Sequence, residues 1–210
     1  MTQQQAANEV LACLQAMVKN NTNPVLDVIE PDKPFIENRK YPENKLTFNS
    51  SEWRAYYHSH GDPYRFENEH GHFHIFHKFN DTQWTHVAGL SMDNQGQAQK
   101  WFTTNRWVTN EHLQPAAAII KYLDQTCSND GLLLVERWLM AMLQLYQDDL
   151  SELLEARDRA LQKLTHDMLL ADVLDKHDYY LLSEVEINLQ SKLAGILVKD
   201  SIADLGQTIS

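Results

Sequence analysis

The chain has 210 residues, 43% of them hydrophobic and 10% aromatic, and a formal charge of −11, enough for a sizeable core in one domain or two small ones. The acidic balance argues against nucleic acid and anionic membrane as partners, because both need a basic face that displaces counterions. No apolar run approaches a membrane span and the N-terminus lacks the basic-then-apolar order of a secretion signal, so a cytoplasmic protein is expected.

Helical spacing of Ala6, Val10, Leu11, Leu14, Met17 and Val18 predicts an amphipathic helix over 3–19, ended by "NNTNP". Prolines 24, 31, 34 and 42 then predict an ordered wrapping loop over 24–45, with Val25, Leu26, Val28, Ile29, Phe35 and Ile36 seeking burial. The aromatic-rich "LTFNSSEWRAYYHSH" (46–60) fits either a strand or a helix. "HGHFHIFHKF", "QWTHVAGLSM" and "AQKWFTT" are β-prone runs separated by turn residues, and they predict a three-stranded antiparallel meander over about 69–104. Helices are predicted over 116–126, over 131–147 behind "SNDG", over 149–171 and over about 184–198.

The sum is an α+β fold, a small antiparallel β-meander packed against the N-terminal helix and several C-terminal helices. A single domain over 1–210 is expected, with a His-rich β core at 46–110 and a helical part at 116–200. Asp148 to Glu186 holds eleven acids against four bases, which reads as a solvated helical surface. Only Cys13 and Cys127 occur, so a disulfide framework or Cys-rich zinc site is excluded and two buried thiols are expected.

The chemistry concentrates in "ENEHGHFHIFHKF". On a strand, His70, His72 and His74 share one face, while Gly71, Phe73, Ile75, His77 and Phe79 share the other, the core side. With a hairpin loop at Asn80 to Gln83, Phe79 faces Trp84, Ile75 faces Ala88, and the small or acidic Gly89, Ser91 and Asp93 face His74, His72 and His70. That predicts a pocket floor. Residues two apart on a strand lie about 6.6 to 7 Å apart, close enough for two imidazoles to share an ion at about 2.0 to 2.1 Å per bond. Three in a row span roughly 13 Å, so further ligands must come from elsewhere. "YYHSH" offers His58 and His60 at the same spacing, and Asp62, Glu67 and Glu69 are nearby carboxylates. A satisfied core histidine is expected at His77, close to His86.

The expected function is therefore metal binding, with a metal-dependent enzyme of unidentified substrate as its fuller form. Its divalent ion, zinc or iron, is expected on His72 and His74 with help from His58, His60 or His70, and Glu69 is a candidate proton acceptor. Its expected partner is a small-molecule ligand or substrate. Asn105 and Arg106, in "FTTNRWVTNE", are candidates to bind a substrate carboxylate or phosphate, with a structural ion pair as the alternative for Arg106. A non-catalytic binding module is the remaining alternative.

"HGHFHIF" resembles the motif of the histidine-triad nucleotide hydrolases and transferases, which implies His72 as a phosphate-attacking nucleophile assisted by His70 and His74. Gly71, where that family prefers an apolar residue, and the acidic "ENE" depart from the pattern. "HSHGDP" resembles the H-S-H-P of JAMM metalloproteases, but Gly71 occupies their aspartate position, so that assignment fails. Together, "EHGHFHIF" and "FTTNRWVT" resemble a bacterial protein family of unknown function, over about residues 50 to 115 and more weakly in the C-terminal helices. This resemblance implies a bacterial cytosolic protein and carries no activity.

Overall fold

Helix α1 (Gln3–Lys19) starts where the sequence supplies a cap: Thr2 Oγ1 accepts from the Gln5 backbone N–H at 3.2 Å, and Gln5 Oε1 accepts from the Thr2 N–H at 2.9 Å. Its buried stripe is Ala6, Ala7, Val10, Cys13 and Met17. The computed structural model describes residues 1–29, 33–48, 52–61, 64–123 and 131–197. Cys127, Asp62, Pro31, the "SND" of the helix start signal and the expected helical residues 124–126 lie outside these.

Six strands follow α1, all antiparallel and in sequence order across one sheet. They are β1 (Tyr41–Phe48), β2 (Trp53–His58), β3 (Glu69–Lys78), β4 (Trp84–Asp93), β5 (Ala98–Thr104) and β6 (Leu181–Glu186). The predicted meander is the centre of this sheet, β3 to β5. The expected loop over 24–45 gives way to strand at Tyr41, because an edge strand tolerates a residue such as Pro42 that cannot donate to the ladder. The predicted helix over 184–198 is corrected too. β6 takes its first part, pairing Lys100, Trp101 and Phe102 of β5 with Glu186, Val185 and Glu184. Without β6, β5 would be an open edge, so tertiary pairing overrides local helical character.

Between β5 and β6 lie α2 (Arg106–Thr109), α3 (Ala116–Leu123), α4 (Leu134–Leu145), α5 (Gln147–Leu164) and α6 (Leu170–Asp175), and α7 covers 189–197. The predicted helix over 149–171 thus ends at Leu164. α1, α4 and α5 cover one face of the sheet, where Trp53, Ala55, Tyr57, Phe73, Ile75, Ala88, Leu90, Met92 and Trp101 meet Trp138, Leu139 and Tyr146 in one continuous buried cluster. Among the described residues no helix is long and apolar enough to cross a membrane. The opposite face of the sheet carries the histidines.

Candidate metal centre

The β2–β3 pairing sets His58 directly opposite His72 and Tyr56 opposite His74. Directly opposed side chains lie about 4.5 to 5.5 Å apart at Cβ, closer than two residues along one strand, so the end of β2 completes a triangle with the H-x-H of β3. His58, His72 and His74 each offer a ring nitrogen, and these atoms all lie within 4.8 Å of one another. The closest approach is 3.0 Å, between Nε2 of His58 and Nε2 of His72. His72 and His74 are fully buried and His58 is 7% exposed.

Partners behind these rings fix which nitrogen faces inward. Nδ1 of His72 lies 2.7 Å from Oε1 of the buried Glu69. A carboxylate accepts, so Nδ1 donates and Nε2 presents its lone pair to the triangle. Nδ1 of His74 lies 2.9 Å from Nε2 of His86, which is itself hydrogen-bonded to the Ala88 backbone. With the other His86 nitrogen donating to that carbonyl, His86 Nε2 accepts from His74. The buried Nε2 of His74 is then a bare lone pair, and it has no hydrogen-bond partner among the described residues. His58 donates from Nε2 to His72 here; moving that proton to its Nδ1 would release a third lone pair.

Burial keeps His58, His74 and His86 neutral. Burial, then His72, His60 and Lys40, pushes the His58 imidazolium down to about 2. Burial, then the neighbouring imidazoles, holds His74 well below the usual range, and burial with the Arg157 charge takes His86 down to about 3. Neutral imidazole is the state that coordinates a cation.

Two β-bulges decide which other residues join. His70 is the extra residue between the pairs Glu69–Asp93 and Gly71–Met92. The bulge turns Glu69 onto the histidine face and His70 off it, so the expectation that His70 shares a face with His72 and His74, opposite Asp93, is corrected. His70 instead bonds Tyr57 Oη through Nδ1 at 2.7 Å and packs on Phe35. Val87 is the second extra residue, between Ile75–Ala88 and Phe76–His86. It brings His86 round to His74, and from there the ladder runs His77–Thr85 and Lys78–Trp84 rather than Phe79 against Trp84. Sequence reasoning missed His86, since strict alternation puts it with Ala88 on the core side. His77 does lie on the core side, stacked on Tyr122 at 3.8 Å, but neither ring nitrogen has a hydrogen-bond partner among the described residues and His86 stands with His74 on the other face, so the expected satisfied histidine close to His86 is corrected.

His60 stands in the loop after β2, its ring 4.4 Å from His58 and 5.3 Å from His72. Its Nδ1 bonds Asn38 Oδ1 at 2.9 Å, and its buried Nε2 has no partner among the described residues. His60 therefore flanks the triangle rather than completing it. The space expected over Gly89 is filled by Phe102, whose ring lies 5.2 Å from His72 and 6.0 Å from His74, so the face is covered there rather than open as a pocket floor, and of the three rings His58 alone keeps some exposure. Gly71 is required locally, because a Cβ there would sit 2.6 Å from the His58 carbonyl.

Asn105 and Arg106 are engaged elsewhere. Asn105 caps α2 and donates to the Val173 carbonyl at 2.7 Å, and Arg106 pairs with Asp175. Glu67 lines a separate surface groove with Asn68, Lys100 and Glu186. The attack implied by the histidine-triad resemblance needs an open His72 Nε2, whereas this atom faces His58 inside a buried ring.

Glu69 orients His72 from behind. Glu69→Gln is expected to preserve the fold and lower metal affinity 10- to 100-fold, as partners of metal-binding histidines generally do. Competition with a chromogenic chelator measures this, and an unchanged affinity would remove Glu69 from the site.

A family model described as a domain of unknown function (DUF6969) matches residues 4–187. No curated protein and no solved structure matches the chain.

Proposed function

The chain belongs to the DUF6969 family, a domain of unknown function, and on that footing we propose that it is a metal-binding protein with a metal-dependent activity on a small molecule. One observation carries the reading: three buried imidazoles converge within 4.8 Å, two of them locked by Glu69 and His86 so that their Nε2 lone pairs point inward. Nε2 of His74 is buried with no hydrogen-bond partner among the described residues, and unlike the equally unpartnered nitrogens of His77 it converges with two other imidazoles.

Imidazole donors suit zinc and iron(II), and three protein ligands leave positions free for water or substrate, the pattern of reactive rather than structural sites. An ion there would supply Lewis acidity, which would activate a water or a chelating substrate. His58, His72 and His74 would hold it, Phe102 and Tyr56 exclude bulk water, and the Nε2 of His60, unpartnered among the described residues, stands beside His58 as a hydrogen-bonding group for whatever the ion carries.

The test is elemental analysis by plasma mass spectrometry on tag-free protein purified without chelators, beside His72→Ala/His74→Ala. Near-stoichiometric zinc or iron in the parent, lost from a variant with unchanged circular dichroism, is expected. A metal-free parent that stays empty after reconstitution sinks the reading, whatever the variant does.

A further inference from the structure

Lys40 and Lys45 stand over one ring, that of Tyr56, with Nζ atoms 4.5 and 6.0 Å from its centroid. The Tyr56 ring in turn lies 5.3 Å from His58 and 5.5 Å from His74. Both ammonium groups are thus one aromatic ring away from the candidate ligands, on the side of the partly exposed His58. Lys40 is also among the charges that lower the His58 pKa.

The local charge is unusual for this chain. Residues 37–65 hold five bases, Arg39, Lys40, Lys45, Arg54 and Arg65, against four acids, while the whole chain is at −11. Three of the cations are matched: Arg39 with Glu43 at 3.6 Å, Arg65 with Glu37 at 2.6 Å, and Arg54 with Glu111. Lys40 and Lys45 have no ion-pair partner among the described residues. Lys45 is half-buried, its backbone is in the left-handed region at φ 58°, and burial, Arg54 and Lys40 lower its pKa. Cation–π contact is worth about 0.5 to 1 kcal/mol at an exposed site, enough to seat one lysine on Tyr56. It does not by itself account for two like charges on the same ring, because Glu111, the acid that acts on Lys45, is already paired with Arg54.

We propose that Lys40 and Lys45 are the recognition arm of the metal site and that its substrate is a small dianion. One end binds the ion at His58, His72 and His74; the other, a carboxylate or phosphate, is held between the two ammonium groups. This rests on the metal reading above. The same arm explains how a strongly acidic protein draws an anion to one place on its surface.

The experiment uses the full chain loaded with Co(II), whose visible absorption reports changes at the ion. It is titrated with acetate, succinate and phosphonoacetate, and repeated on Lys40→Gln/Lys45→Asn, asparagine being tolerant of positive φ. A dianion is expected to bind about tenfold or more tightly than acetate, and the variant to lose that margin while keeping its cobalt content and its acetate affinity. Preference for succinate or for phosphonoacetate assigns the second group as carboxylate or phosphate. Equal affinity for acetate and both dianions, or a margin that survives in the variant, overturns the proposal with the metal site intact. Failure to load cobalt overturns the metal reading and this inference together.

Discussion

Acidification is expected to unfold the metal-free protein cooperatively, at the top of the usual carboxylate range or above it. His58, His74, His77 and His86 are all buried, and burial is the largest cause lowering each pKa, to about 2 for His58, about 4 for His77 and about 3 for His86. Their folded-state values lie below the unfolded value of about 6.5, so the unfolded chain binds more protons once the pH drops below that point. The stability from keeping them neutral is complete above about pH 6.5 and falls as pH falls toward the folded values. Each contributes up to about 1.4 kcal/mol per pH unit, and four together remove roughly 5 kcal/mol per unit. Against a typical domain stability of about 5 to 15 kcal/mol, this places the midpoint near pH 4 to 5.5. Circular dichroism against pH, in chelator, measures it. Bound metal adds stability at pH 7 that shrinks with acid, because the ion and protons compete for the same lone pairs. A fold intact at pH 3 without metal would contradict the burial of these rings.

Gly89→Ala is expected to damage stability and metal binding together. A Cβ at Gly89 would lie 2.6 Å from Cε1 and Cε2 of Phe102, a fully buried ring folded flat over the glycine. Phe102 cannot move aside cheaply, since Phe66 at 5.1 Å and the His72 and His74 rings surround it. Overpacking of this kind costs about 1 to 3 kcal/mol, which for a chain of this size lowers Tm by roughly 2 to 12 °C. The displaced ring presses on two of the three candidate ligands, so metal affinity drops as well. Adding Phe102→Leu to Gly89→Ala is expected to recover part of the Tm, which separates steric conflict from backbone effects. An alanine variant with parental Tm and metal affinity would show that Phe102 is not confined.

Much of the frame is legible from local rules. The 3–19 helix follows from apolar spacing that ends at polar residues, and β3, β4 and β5 follow from β-prone runs between turn residues. The expected pairings of His72 with Ser91 and His74 with Gly89 hold because the extra residue Val87 offsets the one-residue shift at the hairpin end, where Lys78 rather than Phe79 faces Trp84. β1 and β6 were hidden because their strand character comes from neighbours: Tyr41–Phe48 begins in a proline-rich stretch, and Leu181–Glu186 becomes a strand by satisfying the exposed ladder of β5.

By itself the sequence determined that His72 and His74, the H-x-H of β3, share one face, because side-chain alternation is a local property of the strand. It also offered His58 and His60 of "YYHSH", beside His70, as sources of a third imidazole, without choosing among them. Only the tertiary structure decided the membership of the site. Two single-residue bulges, at His70 and Val87, exchanged His70 for Glu69 and delivered His86, and no local spacing rule encodes a bulge. Register between β2 and β3 then set His58 against His72, and the fold of residues 37–45 brought Lys40 and Lys45 over Tyr56. These are contacts between segments distant in sequence, fixed by how whole strands pair rather than by what any one strand contains.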